Sequence, residues 1–509
     1  MSTESRATPA KQIAAGYEVQ GQALELGTVV VDNATDAAAQ IRIPLATVNR
    51  HGLVAGATGT GKTKTLQLIA EQLSAAGVPV LMADVKGDLS GLARPGQASD
   101  KLTARAKETG DNWEASAFPV EFLSLGTKGI GVPVRATIAS FGPILLSKVL
   151  GLNATQESTL GLIFHWAEQQ NYELLNLKDL RAVISYLTSD AGKPELKSLG
   201  GVSATTAGVI LRALVNLEAE GADTFFGEPE LKPDDLVRVD EKGRGVISLL
   251  ELGDQAARPV LFSTFLMWVL SDLFKFMPEV GDVDKPKLVF FFDEAHLLFT
   301  DASKAFLEQV EQTVKLIRSR GVGVFFCTQL PTDIPNDVLS QLGARIQHAL
   351  RAFTPDDQKA LTKTVRTYPK TDVYDLASAL TSLGIGEAVV TVLSERGAPT
   401  PVAWTRLRSP RSLMAAIGND AISAAAQASP LQAKYGKTVD RESASEKLEA
   451  KAAQAPAEQP AASSKSAPAP AKKPGWFKRF VNSRGFQTFL NALGRELIRS
   501  MLGSGRRRR

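Results

Sequence analysis

The octapeptide GATGTGKT, Gly56 to Thr63, constrains this chain more than any other feature. It fits the pattern G-x-x-x-x-G-K-[ST] in full. It follows the apolar segment HGLVA and precedes TKTLQLIAEQLSAAG, whose apolar residues recur at helical spacing. Glycines at such a strand-to-helix turn let successive backbone N–H groups converge on one point, and the N-terminus of the helix adds its dipole. The arrangement is a phosphate cradle. Gly56, Ala57, Thr58, Gly59, Thr60, Gly61, Lys62, Thr63 and Lys64 are expected to hold a nucleotide, with Lys62 on the β- and γ-phosphates and the Thr63 hydroxyl on Mg²⁺.

A loop of this kind needs an acidic residue on a nearby strand. VFFFDE supplies four apolar residues followed by Asp293 and Glu294. Asp293 suits the metal shell, and Glu294 is placed to polarise an attacking water. Together the two segments indicate a hydrolase acting on ATP with Mg²⁺, not merely a nucleotide binder. VGVFFCTQ ends in Thr328 and Gln329, polar side chains that can reach the terminal phosphate or its water, or simply cap the strand. VLMADVKGD carries Asp84, Lys86 and Asp88 where α/β sheets place ligands, and a structural role fits them equally well.

The remaining pattern predicts an α/β fold built on a mostly parallel sheet. Residues 1–48 read as a short β segment, ALELGTVVV and QIRIPL. Residues 49–132 alternate strand and helix as the first part of the core. Residues 133–240 change to amphipathic helices, among them QESTLGLIFHWAEQQ and LKDLRAVISYLTS, and form a helical insertion. Strands resume over 241–409 with GVISLLEL, LVFFFDEA, VGVFFCTQ, ARIQHAL and EAVVTVL. Residues 410–475 read as a helix end and an Ala/Pro linker, disordered in composition from Gln427 to Pro474. Residues 476–509 read as a basic amphipathic tail ending in four arginines.

Charge is unevenly placed. The chain of 509 residues has a net charge of +4, yet eleven Lys and Arg stand against one Glu from Lys472 onward, so the rest is net acidic. The tail therefore points to nucleic acid or an acidic surface, and peripheral contact with a membrane through it is left open. One cysteine, Cys327, excludes an intramolecular disulfide and a thiolate zinc cluster and favours a reducing, cytoplasmic setting. The four histidines are dispersed and no G-x-S-x-G occurs, so neither a histidine metal site nor a serine hydrolase is supported. The N-terminal residues lack the apolar core of a signal peptide, and the most apolar stretches fall short of the roughly 20 residues of a membrane helix.

GATGTGKT, the FFFDEAH strand and the run KLIRSRGVGVFFCTQLPTDIP together resemble the HerA/FtsK group of P-loop ATPases, in particular the bacterial HerA-like, YjgR-like branch. The likeness covers roughly Arg42 to Ser409. It implies a RecA-like core, a homo-oligomer in the form of a hexameric ring, and ATP-driven helicase or translocase action on double-stranded DNA. A nuclease encoded elsewhere is a candidate partner. By position it makes Gln329 a sensor glutamine, and places Arg318 and Arg320 where related motors carry an arginine that reaches a neighbour's nucleotide. Arg345 is a second candidate for that role. Fifty-five residues precede Gly56, fewer than the N-terminal barrel of HerA proteins would need. Two other readings remain: a motor whose polymer is protein, and a nucleotide-gated scaffold.

Overall fold

A computed structural model describes residues 8–84, 87–197, 200–252, 259–281 and 283–454. Lys86, the end of the expected linker and the basic tail lie outside the described residues. Contacts group Met1–Ala453 into one unit and Gln454–Arg509 into a second.

Among the described residues, twelve strands form a single sheet: β1 Ala23–Val31, β2 Ala34–Pro44, β3 Gly52–Ala55, β4 Val80–Asp84, β5 Val120–Leu125, β6 Val132–Val134, β7 Ile247–Glu251, β8 Leu288–Phe292, β9 Val322–Thr328, β10 Ala344–Gln347, β11 Glu387–Thr391 and β12 Ala403–Leu407. Their order is β2-β1-β12-β11-β10-β3-β9-β8-β4-β7-β5-β6. From β10 to β6 every pairing is parallel, while β11, β12, β1 and β2 continue the sheet antiparallel. The central strands read as unbroken apolar runs because both faces are covered, and every residue of β4, β8 and β9 is buried.

Alternate residues of the central strands β3, β4, β7, β8 and β9 feed two separate cores. Leu53 and Ala55 of β3 join the core that holds the helices Ile138–Val149, Ala154–Gln169 and Pro259–Phe276. Val54 joins the other, against Leu66, Ile69, Ala70 and Leu73 of the helix Lys62–Ala75. Those four residues fall at i, i+3, i+4 and i+7, the stripe that a helix lays on a sheet. The same helix buries Glu71, whose carboxylate accepts the Arg411 and Ser412 N–H groups (2.7 and 3.2 Å) and the Ser412 hydroxyl (2.9 Å). Burial pushes that carboxyl up to about 7 despite these bonds. The glycine-loop helix is thus clamped to the segment that follows β12.

The segment from Gln427 departs from the linker that its composition predicts. Helices Pro430–Tyr435 and Ala444–Gln454 occupy it. A few anchors outweigh the Ala/Lys/Glu background. Tyr435 is fully buried, its carbonyl accepts from Arg135 (2.9 Å), and its hydroxyl donates to Asp235. Ser445 N donates to Asp179 (3.0 Å), and Leu431 and Leu448 enter the core.

Candidate functional site

Because β10, β3, β9, β8, β4 and β7 run parallel, their C-terminal ends share one edge of the sheet, where open α/β sheets place ligands. The glycine loop rises there from β3. Gly56 N donates to Thr328 O of β9 (3.2 Å) and Ala57 N to Ala349 O just beyond β10 (2.9 Å), so the loop is slung between its two neighbours. Two glycines are required by geometry. Gly56 has φ +151°, and a Cβ on it would lie 2.5 Å from Cβ of His348. Gly61 has φ +110° as the N-cap of Lys62–Ala75, and it brings no side chain to occupy the N–H groups of the first turn. Thr60 donates its hydroxyl to Ala57 O (2.8 Å). Lys62 Nζ rests on the loop's own carbonyls, Gly56 O at 2.6 Å and Ala57 O at 3.2 Å. Thr58 and Gly59 at the crest are exposed, and Lys62, Thr63 and Lys64 are half-buried. Burial holds the Lys64 ammonium below its ordinary value, opposed by the charges of Asp88 and Asp84.

Asp293 and Glu294 follow β8, two strand spacings or about 10 Å from β3 with β9 between. Both are half-buried. Glu294 holds a left-handed backbone, φ +47°, uncommon for a residue with a side chain and characteristic of functional turns. Its N–H donates to Asp293 Oδ1 (2.9 Å), Ala295 N donates to Cys327 O (2.9 Å), and the Glu294 carboxylate lies 3.4 Å from Nδ1 of His296. The turn is therefore pinned to β9. At the end of β9 the Thr328 hydroxyl donates to Asp333 Oδ2 (2.7 Å), as does Leu330 N (3.0 Å), which leaves Gln329 exposed on a braced loop. Gln329, Asp333, His296, Phe299, Thr300 and Leu330 line a cleft of about 410 Å³ beside the acidic turn. The Cys327 thiol is pushed up, first by burial and then by Asp293, which keeps it an inert thiol.

The three arginines do not gather with these groups. Arg318 and Arg320 precede Val322, the opposite end of β9 from Thr328, about 20 Å along the strand. Arg320 donates to Met277 O (2.8 Å), lies 3.6 Å from Glu279 and sits over the Phe274 ring at 5.3 Å. Arg318 is half-buried, and its charge bears on His51. Arg345 lies within β10 opposite Leu53 and donates to Thr367 O (3.0 Å) and Leu339 O (3.5 Å).

Several neighbours of the loop carry no local signal in the sequence. His348, one residue past β10, is buried beneath it with Nε2 2.9 Å from the Thr65 hydroxyl. Burial, and then the Lys62 charge, push its imidazole down to about 4, so it stays neutral at physiological pH. Arg351 donates to Thr58 O (3.3 Å), and Gly386 N donates to Thr60 O (3.3 Å). Asp84 accepts the N–H groups of Gly87, Asp88 and Leu89 at 2.6 to 3.2 Å, which makes it the organiser of its turn. Glu251 stands opposite Asp84 on β7, and burial followed by the Asp84 charge pushes it up to about 8.

The donor set suits a magnesium nucleotide. Among the described residues no group of three or more His, Cys, Asp or Glu could hold a metal by itself. A hydroxyl at Thr63 and a carboxylate at Asp293 are hard oxygen donors of the kind that share Mg²⁺ with phosphate oxygens and water.

A model of the HerA-like helicase C-terminal family matches residues 30–509. The DNA double-strand break repair helicase HerA of Saccharolobus solfataricus is 22% identical over 395 residues, 76% of this chain and 69% of that protein. Among solved structures, the plasmid coupling protein TrwB in complex with a non-hydrolysable GTP analogue superposes with a TM-score of 0.52 at 15% identity, over 79% of this chain and 94% of that one. TrwB in complex with ADP and Mg²⁺ gives 0.51 at 15% identity, over 80% and 95%. These likenesses establish a shared fold. Among the described residues no helix is long and apolar enough to cross a membrane.

Proposed function

This chain belongs to the HerA-like helicase C-terminal family, and we propose that it is an ATP-hydrolysing motor that assembles as a hexameric ring and moves along double-stranded DNA. The observation that carries this reading is the glycine loop after β3 facing the acidic turn after β8 across the end of β9. The loop's N–H groups and Lys62 bind the phosphates of ATP, and Thr63 and Asp293 hold Mg²⁺. When bound, the metal supplies positive charge to the phosphate oxygens as negative charge builds there. Glu294 orients a water toward the terminal phosphate and draws its proton, and Gln329, on its braced loop, reads whether that phosphate is present. The name of the HerA relative, a DNA repair helicase, supports duplex DNA as the polymer. ATP-dependent displacement of a third strand from a duplex-anchored triplex tests the motor. Displacement with ATP but not with a non-hydrolysable analogue is expected, and no displacement by an assembled, hydrolysing particle counts against it.

Catalysis is proposed to be shared between subunits. Arg318 and Arg320 stand at the strand end remote from their own loop, so a phosphate they serve belongs to a neighbouring copy. Arg345 is kept as the alternative. An arginine supplied across an interface stabilises charge on the transferring phosphoryl group. Mixing an Arg318→Ala or Arg320→Ala chain with a Lys62→Ala chain is expected to recover part of the lost turnover, because some interfaces then hold both intact parts. Mixed particles confirmed by mass that recover nothing would assign these arginines to structure.

A further inference from the structure

The loop has a second flank that the phosphate chemistry leaves unused. The acidic turn and Gln329 lie on the β9–β8 side of β3, so a triphosphate with its reacting end there directs its nucleoside end toward β10 and β11. On that side stand two of the most exposed apolar side chains among the described residues, Phe353 at 85% and Ile385 at 75%. Neither is on a loose loop. Phe353 N and Thr354 N both donate to Asp357 Oδ2 (3.2 and 2.9 Å) in the capping box of the helix Pro355–Val365, and Leu350 N donates to Leu380 O (2.8 Å). The Ile385 and Gly386 carbonyls accept from Arg105 (3.4 and 3.1 Å). Both segments are tied to the loop crest, Arg351 through Thr58 O and Gly386 through Thr60 O (each 3.3 Å).

We propose that Phe353, Ile385 and Arg351 form the nucleoside subsite, with the base stacked on the Phe353 ring, Ile385 as an apolar wall, and Arg351 at the sugar–phosphate junction. The proposal rests on the reading of the glycine loop as a nucleotide site and adds the residues that recognise the rest of the molecule. An aromatic face is a platform for any base, since every base has a π-face, and the bonded backbone at Phe353 means that only the side-chain torsions remain to be ordered when a base stacks. Among the described residues Phe353 stands in open solvent with no packing role, and the capping box fixes the backbone from which the ring projects.

Calorimetric titration of the full-length chain with ATP and with inorganic tripolyphosphate separates the two ends of the site. Phe353→Ala is expected to weaken ATP binding about 10-fold, the scale of one lost stacking contact, and to leave tripolyphosphate binding unchanged. Phe353→Tyr should bind ATP as wild type does. Lys62→Ala should weaken both ligands, since it acts on the phosphates alone. Equal affinity of wild type and Phe353→Ala for ATP would overturn the subsite. If the particle mass by light scattering also fell, Phe353 would belong to the contact with a second copy. Wild-type protein that takes up neither ligand would instead overturn the phosphate loop, and the subsite with it.

Discussion

Lys62→Ala is expected to abolish ATP turnover in a protein that still folds. Among the described residues the ammonium's hydrogen bonds go to two carbonyls of its own loop, at 2.6 and 3.2 Å, and the loop is independently slung from Thr328 and Ala349. Removing the side chain therefore deletes little that the fold needs. What it deletes is the positive charge placed where negative charge accumulates on the terminal phosphates. Groups of that kind contribute about 100- to 1000-fold to rate when removed one at a time. Loss of at least about 100-fold in steady-state turnover, with an unchanged circular dichroism spectrum and melting transition, is the expected pair of results. Wild-type turnover in the folded variant would remove the loop from catalysis.

The second large effect is at the acidic turn. Glu294→Gln keeps the shape of a side chain that the backbone holds at φ +47° and loses only the carboxylate. ATP binding should persist while single-turnover hydrolysis slows by about 100- to 10,000-fold, the range for a lost general base. Asp293→Asn should behave differently, because its carboxylate faces the metal. Its defect should be in Mg²⁺-dependent binding and should ease as Mg²⁺ is raised. Nucleotide titrations beside single-turnover rates distinguish the two, and identical phenotypes would contradict the division of roles. Asp293 also accepts the Glu294 N–H at 2.9 Å, so an amide there that presents its nitrogen to that N–H would disturb the turn itself. Recovery of binding at high Mg²⁺ is the sign that it has not.

Much of this candidate site is legible in the sequence, and the reason is local. GATGTGKT declares its geometry within eight residues, because only glycine tolerates the loop's dihedral angles and close approaches. The strands LVFFF and VGVFFCT announce burial on both faces by lacking alternation. Their polar ends, Asp293 and Gln329, then fall at one edge once the sheet is parallel.

The unread part is non-local. His348 and Arg351 contact a loop nearly 300 residues earlier in the chain, and nothing in GARIQHALRAF says that β10 lies beside β3. A lone histidine on an apolar strand reads as dispersed until the strand order is known. Glu251 is similarly silent, a single acid at the end of GVISLLEL that becomes perturbed only because β7 pairs with β4 and brings Asp84 opposite. The stretch after Gln427 misled for another reason. Its average composition is that of a solvated chain, whereas Leu431, Tyr435, Ala444 and Leu448 suffice to seat two helices. The arginines before β9 were read by likeness to ring motors, and their distance from the chain's own loop emerges only from the direction of the strand.

The central claim, a nucleotide site coupled to a DNA track, is tested most directly by steady-state ATP hydrolysis of the full-length chain at known particle mass, with and without duplex DNA at low salt. Turnover that depends on Lys62, rises severalfold on adding duplex and loses that increase as salt is raised is the predicted result. A fully assembled particle that hydrolyses ATP at one rate whether or not duplex DNA is present would contradict it.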